Sequence, residues 1–388
     1  MWPAPTGATM PAMNRAEFIK RSAAAGLAVT AGPLLSGGGE AVAAPRRSLR
    51  YRGVCYDTGW GSGGDDTTRP LWSRALMEGE LRAVHELHCN SVQIFGTNLE
   101  RMVEATAEAR RLGLRVWLQP RLSEHPREAV LDHLARTARA AERLRRRHGG
   151  ITLVTGCEHI LFTRGIVPGK DFFERAENLG DRSLDQEAVQ RRLNRFLARA
   201  AATARKHFNG KLTYAPAFGA EHVDWRPFDY VGVDYYEFHQ RRADYVKELR
   251  SLHRWRKPIV VCEFGTCAFR GAPRTEGMGW AVIAYPDLVP QVRKPAIRDE
   301  RVQAEYLVSM LDVFEASGVH AASVYAFIQP DAPHSPDPRQ DHDMAAYGIV
   351  KVVRERFDDP ASPYRWEPKQ AFHALAAAYG AAASAATS

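Results

Sequence analysis

Beyond its first segment the chain has no apolar run that reaches the length of a membrane helix, so no stable membrane insertion is expected. Cysteine is scarce. The five residues Cys55, Cys89, Cys157, Cys262 and Cys267 form an odd count, with neither the density of a disulfide scaffold nor the spacing of zinc ligands. They read as small buried apolar residues. Internal repeats and low-complexity linkers are absent, which leaves room for one large core. No nucleic-acid motif accompanies the net charge of +8. Arginines such as Arg143, Arg145, Arg146 and Arg147 supply that charge from many segments with glutamates interleaved. This is the pattern of solvated helix faces, and no nucleic-acid partner is expected. The glycine-rich run Gly59-Trp60-Gly61-Ser62-Gly63-Gly64 lacks the helix that a dinucleotide fingerprint opens at once. Asp65 and Asp66 follow it and would repel phosphate, so it reads as a rim loop. No cofactor is expected.

What is present is ordinary globular composition, 45% hydrophobic and 25% charged over 388 residues. Residues 1–43 look like an export segment. Arg15, Lys20 and Arg21 form a basic start, residues 23–35 a short apolar stretch, and Ala41-Val42-Ala43 a cleavage-site pattern. The run Asn14-Arg15-Ala16-Glu17-Phe18 resembles a twin-arginine signal, with Ala16 where the second arginine belongs. A secreted or extracytoplasmic protein with its mature start near Ala44 is expected.

From residue 50 onward short strand-like runs alternate with longer amphipathic stretches. Strands are predicted at 51–56, 91–95, 114–119, 151–157, 211–216, 229–235, 257–262 and 322–328. Helices are predicted at 72–88, 98–112, 126–148, 185–208, 240–254, 299–317 and 368–379, with only a turn or short helix near 220–228. Eight strands with following segments predict a single closed (β/α)8 barrel over residues 44–380, and the Ala-rich residues 381–388 read as a frayed tail. The long connections 57–71, 159–184, 264–298 and 329–350 all follow strands, on the side where this fold builds its active site.

Two of the strands end in a glutamate. Ile151-Thr152-Leu153-Val154-Thr155-Gly156-Cys157 runs into Glu158, and Ile259-Val260-Val261-Cys262 runs into Glu263-Phe264-Gly265. An apolar strand has no structural need of an acid at its carboxyl end. Two carboxylates over one cavity are the apparatus of glycoside hydrolysis, one to protonate the leaving oxygen and one to act beneath the anomeric carbon.

At these residues, on strands four and seven, the chain resembles the clan A retaining glycoside hydrolases, barrel enzymes that include cellulases, mannanases and β-galactosidases. The helix Leu81 onward into Cys89-Asn90-Ser91-Val92-Gln93-Ile94-Phe95 is similar to that clan. So is the closing run Trp366-Glu367-Pro368-Lys369-Gln370-Ala371-Phe372. The resemblance implies Glu158 as acid/base, Glu263 as nucleophile, and a carbohydrate substrate. It also marks two departures. Cys157 stands where the clan has an asparagine that holds the sugar 2-hydroxyl, and Gln93 stands where it often has an arginine; Arg121, after strand three, is the candidate replacement cation.

Tyr235 and Tyr236 close strand six beside Glu263 and either could donate to it. Asp234 has no clear role. Asp57, just past strand one, could bind sugar hydroxyls. His159 could tune Glu158, touch substrate or simply pack. Of Trp60, Trp72, Trp117, Trp225 and Trp280, the last is the best candidate sugar platform. Asp331, His334, Asp337, Asp341, His342 and Asp343 crowd the loop after strand eight; with no EF-hand spacing and three prolines, they read as a polar loop rather than a cation site. A competing reading is a non-catalytic barrel that binds carbohydrate at a cell wall, with Cys157 as its support. A looser resemblance is to exported barrels labelled abortive-infection proteins, for which these residues supply no mechanism.

Overall fold

The computed structural model describes residues 49–61, 68–181, 183–284 and 289–387. The expected export segment and Ser62-Gly63-Gly64 of the glycine-rich run lie outside them.

Eight parallel strands form one sheet. They are β1 (Tyr51–Asp57), β2 (Ser91–Gly96), β3 (Arg115–Pro120), β4 (Ile151–Cys157), β5 (Lys211–Ala215), β6 (Val231–Asp234), β7 (Ile259–Phe264) and β8 (Ala321–Val324). Their spatial order is β5-β4-β3-β2-β1-β8-β7-β6, so β1 pairs with both β2 and β8. The two edges, β5 and β6, meet through backbone bonds from Asp229 to Leu212 (2.9 Å) and from Asp234 to Pro216 (3.0 Å). The sheet is a nearly closed (β/α)8 barrel, with predicted and observed strands agreeing to within a few residues.

Alternation along each strand separates two apolar environments. Leu153, Val233, Val261 and Phe264 face outward into the main core. There they meet Val189, Leu193 and Phe196 of α6 (Gln186–Arg205) and Phe314 of α8 (Glu300–Ser317). Trp117, Val154, Ala215, Val260, Cys262 and Ala321 face the lumen and fill it as a separate plug. Between these strands run α1 (Arg74–Glu86), α2 (Leu99–Arg111), α3 (Arg127–His148), the short α4 (His159–Phe162) and α5 (Phe172–Leu179), and α7 (Arg242–Ser251). Side-chain caps set several starts: Ser73 accepts from Leu76, and Asn98 from Glu100 and Arg101. Residues 220–228 form turns without a helix.

One expectation fails at the carboxyl end. The last helix, α9 (Gln370–Thr387), runs through the residues read as a frayed tail. Alanine is the strongest helix former, and Ala371, Leu375 and Tyr379 anchor the preceding turns in the core.

Glycine closes the barrel. A Cβ at Gly232 of β6 would stand 1.9 Å from the Tyr214 carbonyl oxygen of β5. Gly79 of α1 has open space around its Cβ position. Gly232→Ala is therefore expected to cost about 3 kcal/mol or more in a denaturant titration. Gly79→Ala should instead stabilise by about 0.5–1 kcal/mol. Equal effects at the two positions would contradict this account of closure.

Candidate active site

The two strands that carry the glutamates both break register just before them. Along β7, Val261 pairs with Val233 but Glu263 pairs with Asp234, so Cys262 is an extra residue. Such a bulge resets the side-chain alternation and turns Glu263 into the lumen after Cys262, while Phe264 returns to the outer core. Along β4, Val154 pairs with Thr213 and Cys157 with Ala215, again a shift. Gly156 takes up that irregularity at φ 147°, and a Cβ there would meet the His159 ring at 2.2 Å. Glu158 follows in left-handed backbone, φ 41° and ψ 51°, a costly conformation for a residue with a side chain.

The surroundings hold that turn in place. The Glu158 amide donates to the Ala215 carbonyl at 2.8 Å. The buried Glu221 accepts from the Ile160 amide (2.8 Å), the Ala217 amide (2.9 Å) and the Tyr214 hydroxyl (2.9 Å). Tyr214 in turn accepts from the His159 amide at 2.7 Å. The first two amides after Glu158 are thus tied, directly or through Tyr214, to one carboxylate.

Glu263 is 4% exposed and held on both oxygens. Arg121 Nη2 forms an ion pair with Oε1, and the Tyr236 hydroxyl donates to Oε2 at 3.0 Å. The Cys157 thiol lies 3.9 Å from Oε1. Arg121 is itself fixed. Its Nε donates to Gln119 at 2.8 Å, and its guanidinium lies 4.1 Å from the Phe95 ring centre, between Trp60 and Tyr325. Glu158 is half-buried. Desolvation pushes its carboxyl up to about 7, against the opposing pull of Arg121. Asp57 closes β1; burial raises it to about 6, opposed by Arg69 and by the Gly59 amide that donates to it at 2.7 Å.

Four expected positions therefore gather at the lumen mouth: Cys157, Glu263, Arg121 and Tyr236 are in direct contact, with Glu158 next in chain to Cys157. Two expected contacts are corrected. Tyr235 does not reach Glu263. Strand alternation turns it outward, where its ring packs on Phe218 and Phe314 and its hydroxyl donates to Glu248 at 2.6 Å. His159 is not in the site either. It lies behind β4, stacked on Tyr214 at 5.1 Å and edge-on to Phe196, with Nδ1 bonded to Thr163. Burial pushes it down to about 4, which keeps it neutral. Trp280 is half-buried in the 3-10 stretch Ala272–Val282 and packs on the same apolar cluster as Tyr236.

Sequence reasoning passed over Tyr325, Phe95, Tyr347 and Glu221. The first two pack around Arg121, and Tyr347 lies edge-on to Tyr236 at 5.7 Å. Tyr325 follows β8 directly, the one signal that could have found it. In the loop after β8, Asp341 and Asp343 are taken by Arg298 (2.9 Å each) and Asp343 also by Lys369 (2.9 Å). That loop is an ion-pair network, with His334 on the other oxygen of Asp341 at 2.7 Å. The other close ligand group, Cys157, Asp234 and Glu263, already has Arg121 on Glu263.

No family model matches the chain, and no curated protein matches it in sequence. Solved structures do. The GH113 β-mannanase of Alicyclobacillus acidocaldarius in complex with ManMIm superposes with a TM-score of 0.54 at 17% identity, covering 87% of this chain and 99% of that one. GH5_18 from Streptomyces cattleya in complex with GlcNAc gives 0.52 at 15%, covering 86% and 80%. The Bacteroides uniformis β-glucuronidase gives 0.54 at 16%, covering 86% of this chain and 35% of that one. The chain has the barrel fold of these glycoside hydrolases.

The Arg121–Glu263 pair is open to a direct test. Removing one partner of a buried pair leaves the other charge uncompensated. Arg121→Met is expected to cost about 3–5 kcal/mol in chemical denaturation. Adding Glu263→Gln to it should recover part of that loss. Additive costs in the double variant would mean that the two side chains do not depend on each other.

Proposed function

We propose that this protein hydrolyses a β-linked glycoside with retention of configuration. The observation that carries the reading is the unequal treatment of two strand-end glutamates. Glu263 is held by a cation and a hydroxyl donor, conditions that favour its charged form. Glu158 sits in surroundings that favour its protonated form up to about pH 7. One acid and one base kept apart by environment is the requirement of this chemistry.

In the proposed sequence Glu263 attacks the anomeric carbon while the bond to the leaving oxygen breaks. Glu158 gives its proton to that oxygen. A covalent glycosyl ester on Glu263 results. Glu158, now a carboxylate, takes a proton from water as that water attacks the anomeric carbon, and Glu263 leaves as a carboxylate. Tyr236 and Arg121 steady the charge on Glu263 before the ester forms and after it breaks. No cofactor enters any step. Export through residues 1–43 is part of the same proposal, because an extracytoplasmic enzyme meets polysaccharide. Cys157, a weak donor in the place of an amide, favours the second reading of a carbohydrate-binding barrel without turnover; the experiments below separate the two.

Glu263→Ala should abolish hydrolysis of aryl glycosides, and added azide should restore turnover with an inverted product. Glu158→Ala should slow a natural glycoside by about 10²–10⁴-fold and an activated aryl glycoside far less. Azide should then give a product of retained configuration. Azide products of the reverse configurations would exchange the two roles, and a folded wild type that binds oligosaccharide but turns over nothing would leave the binding barrel.

The pH profile follows from Glu158. The acid form does the work in the first step, so kcat/KM should fall as pH rises through about 7, and the upper limb should vanish in Glu158→Ala with an activated substrate. An upper limb that survives this substitution would assign it to another group.

A further inference from the structure

Asp234 is a further carboxyl in the lumen that the proposed chemistry does not use. It ends β6, paired in register with Glu263 on β7. Its neighbours Val233 and Tyr235 point outward into the core, so alternation places Asp234 on the lumen side with Gly232 and Tyr236. It is 1% exposed. Its Oδ2 accepts from the Cys157 thiol at 3.5 Å, the same thiol that lies 3.9 Å from Glu263. Its Oδ1 is buried with no hydrogen-bond partner among the described residues.

An orphaned carboxyl oxygen at full burial is costly, and such groups in native proteins have a reason. Here the carboxyl lies within 4.8 Å of that of Glu263, where a sugar ring must sit for Glu263 to attack it. The electrostatics of the pocket narrow the kind of ring. Asp57, Glu158, Asp234 and Glu263 lie at the strand ends, and Arg121 is ion-paired with one of them, Glu263. Arg69, near Asp57, is paired with Glu80 at 2.7 Å. A chain with a net charge of +8 therefore builds an acidic lumen. In a buried site a uronic carboxylate would lose its hydration among these carboxyl groups, with no uncommitted cation touching them among the described residues.

We infer that Asp234 is a specificity residue: its free oxygen accepts a hydrogen bond from a hydroxyl of a neutral sugar ring over Glu263, and the surrounding carboxyls reject uronic acids. The inference rests on the glycosidase reading and deepens it. Cys157 belongs to the same device. As a thiol it can donate to Asp234 Oδ2, which orients the carboxyl and leaves Oδ1 for the ligand. Burial, then the nearby Glu158, push the Asp234 carboxyl upward, and a donor from the sugar supplies what the protein withholds.

The first test is binding, which does not require turnover. The melting temperature of the folded chain is measured with gluconolactam, with mannonolactam and with the 6-carboxylate analogue of each. A neutral lactam should raise the melting temperature and the carboxylates should not. Asp234→Asn should lose affinity for the neutral lactam by about 10-fold, the range of one buried hydrogen bond. A carboxylate analogue that binds as tightly as its neutral parent would overturn the inference. So would failure of both neutral lactams to bind, or an Asp234→Asn variant that binds them unchanged.

The second test uses turnover and separates recognition from a packing role. The best neutral aryl β-glycoside is compared with its monodeoxy analogues in wild type and in Asp234→Ala. One deoxy position should cost wild type about 10- to 100-fold in kcat/KM and cost Asp234→Ala nothing more. A penalty for Asp234→Ala that is equal across all deoxy substrates would reduce Asp234 to a structural residue. Lactam binding sensitive to Asp234 with no turnover of any glycoside would keep the recognition and remove the hydrolytic reading, so the two failures are distinguishable.

Discussion

The site is organised around one buried cation. Arg121 is 5% exposed, comes from just past β3, crosses the lumen and meets Glu263 from β7. A guanidinium at that depth is tolerable only with its donors used and its faces covered. Gln119, Glu263, Phe95, Trp60 and Tyr325 meet those needs, and they come from five different strands or strand-end loops. The ion pair therefore fixes the relative placement of most of the barrel mouth. It also makes the closure of the barrel matter to the proposed chemistry, since a displaced β6 would carry away Tyr236, the second group on Glu263.

The architecture was legible because its signals are periodic and redundant. Strands such as Ile151–Cys157 and Ile259–Phe264 are short, β-branched and followed by helices with clear apolar stripes, so each element confirms its neighbour. The carboxyl end was misread for a reason of context. An Ala-rich, polar-poor tail looks unanchored, yet Leu375 and Tyr379 dock the helix from which it grows, and propagation beyond an anchored turn costs little for alanine.

The site was legible in part, and the errors share one cause. Glu263, Arg121, Cys157 and Tyr236 come together with Glu158 next in chain to Cys157, while Tyr235 and His159 do not. Each of these two lies one residue from a lumen-facing position. In a strand one residue decides between lumen and core, and a bulge or a left-handed turn moves that phase without leaving a mark in composition. The bulge at Cys262 and the turn at Glu158 do this, and only Gly156 hints at either. Arg121 was reachable by asking which cation could replace one expected on β2. Glu221 was not, because a buried acid that serves the Ile160 amide, 61 residues earlier, leaves no local pattern.

The departures from the usual pattern also explain one another. With Gln93 in place of a cation on β2, the positive charge on Glu263 comes from β3 instead. Gln93 is then free to be a neutral lumen residue, and its amide donates to the Cys55 thiol at 3.6 Å. With Cys157 in place of an amide on β4, a small apolar-bodied residue occupies the space between Glu263 and Asp234. An amide there would compete for Asp234 and could satisfy its second oxygen. A thiol is a weak donor and engages only one. The polarity that β4 gives up thus reappears on β6 as an acceptor in place of a donor. Such an exchange leaves the two glutamates and their cation unchanged while reversing the hydrogen-bond sense of the wall beside them. On the proposed reading, mechanism and specificity rest on separate side chains, so the wall can change without disturbing the two glutamates.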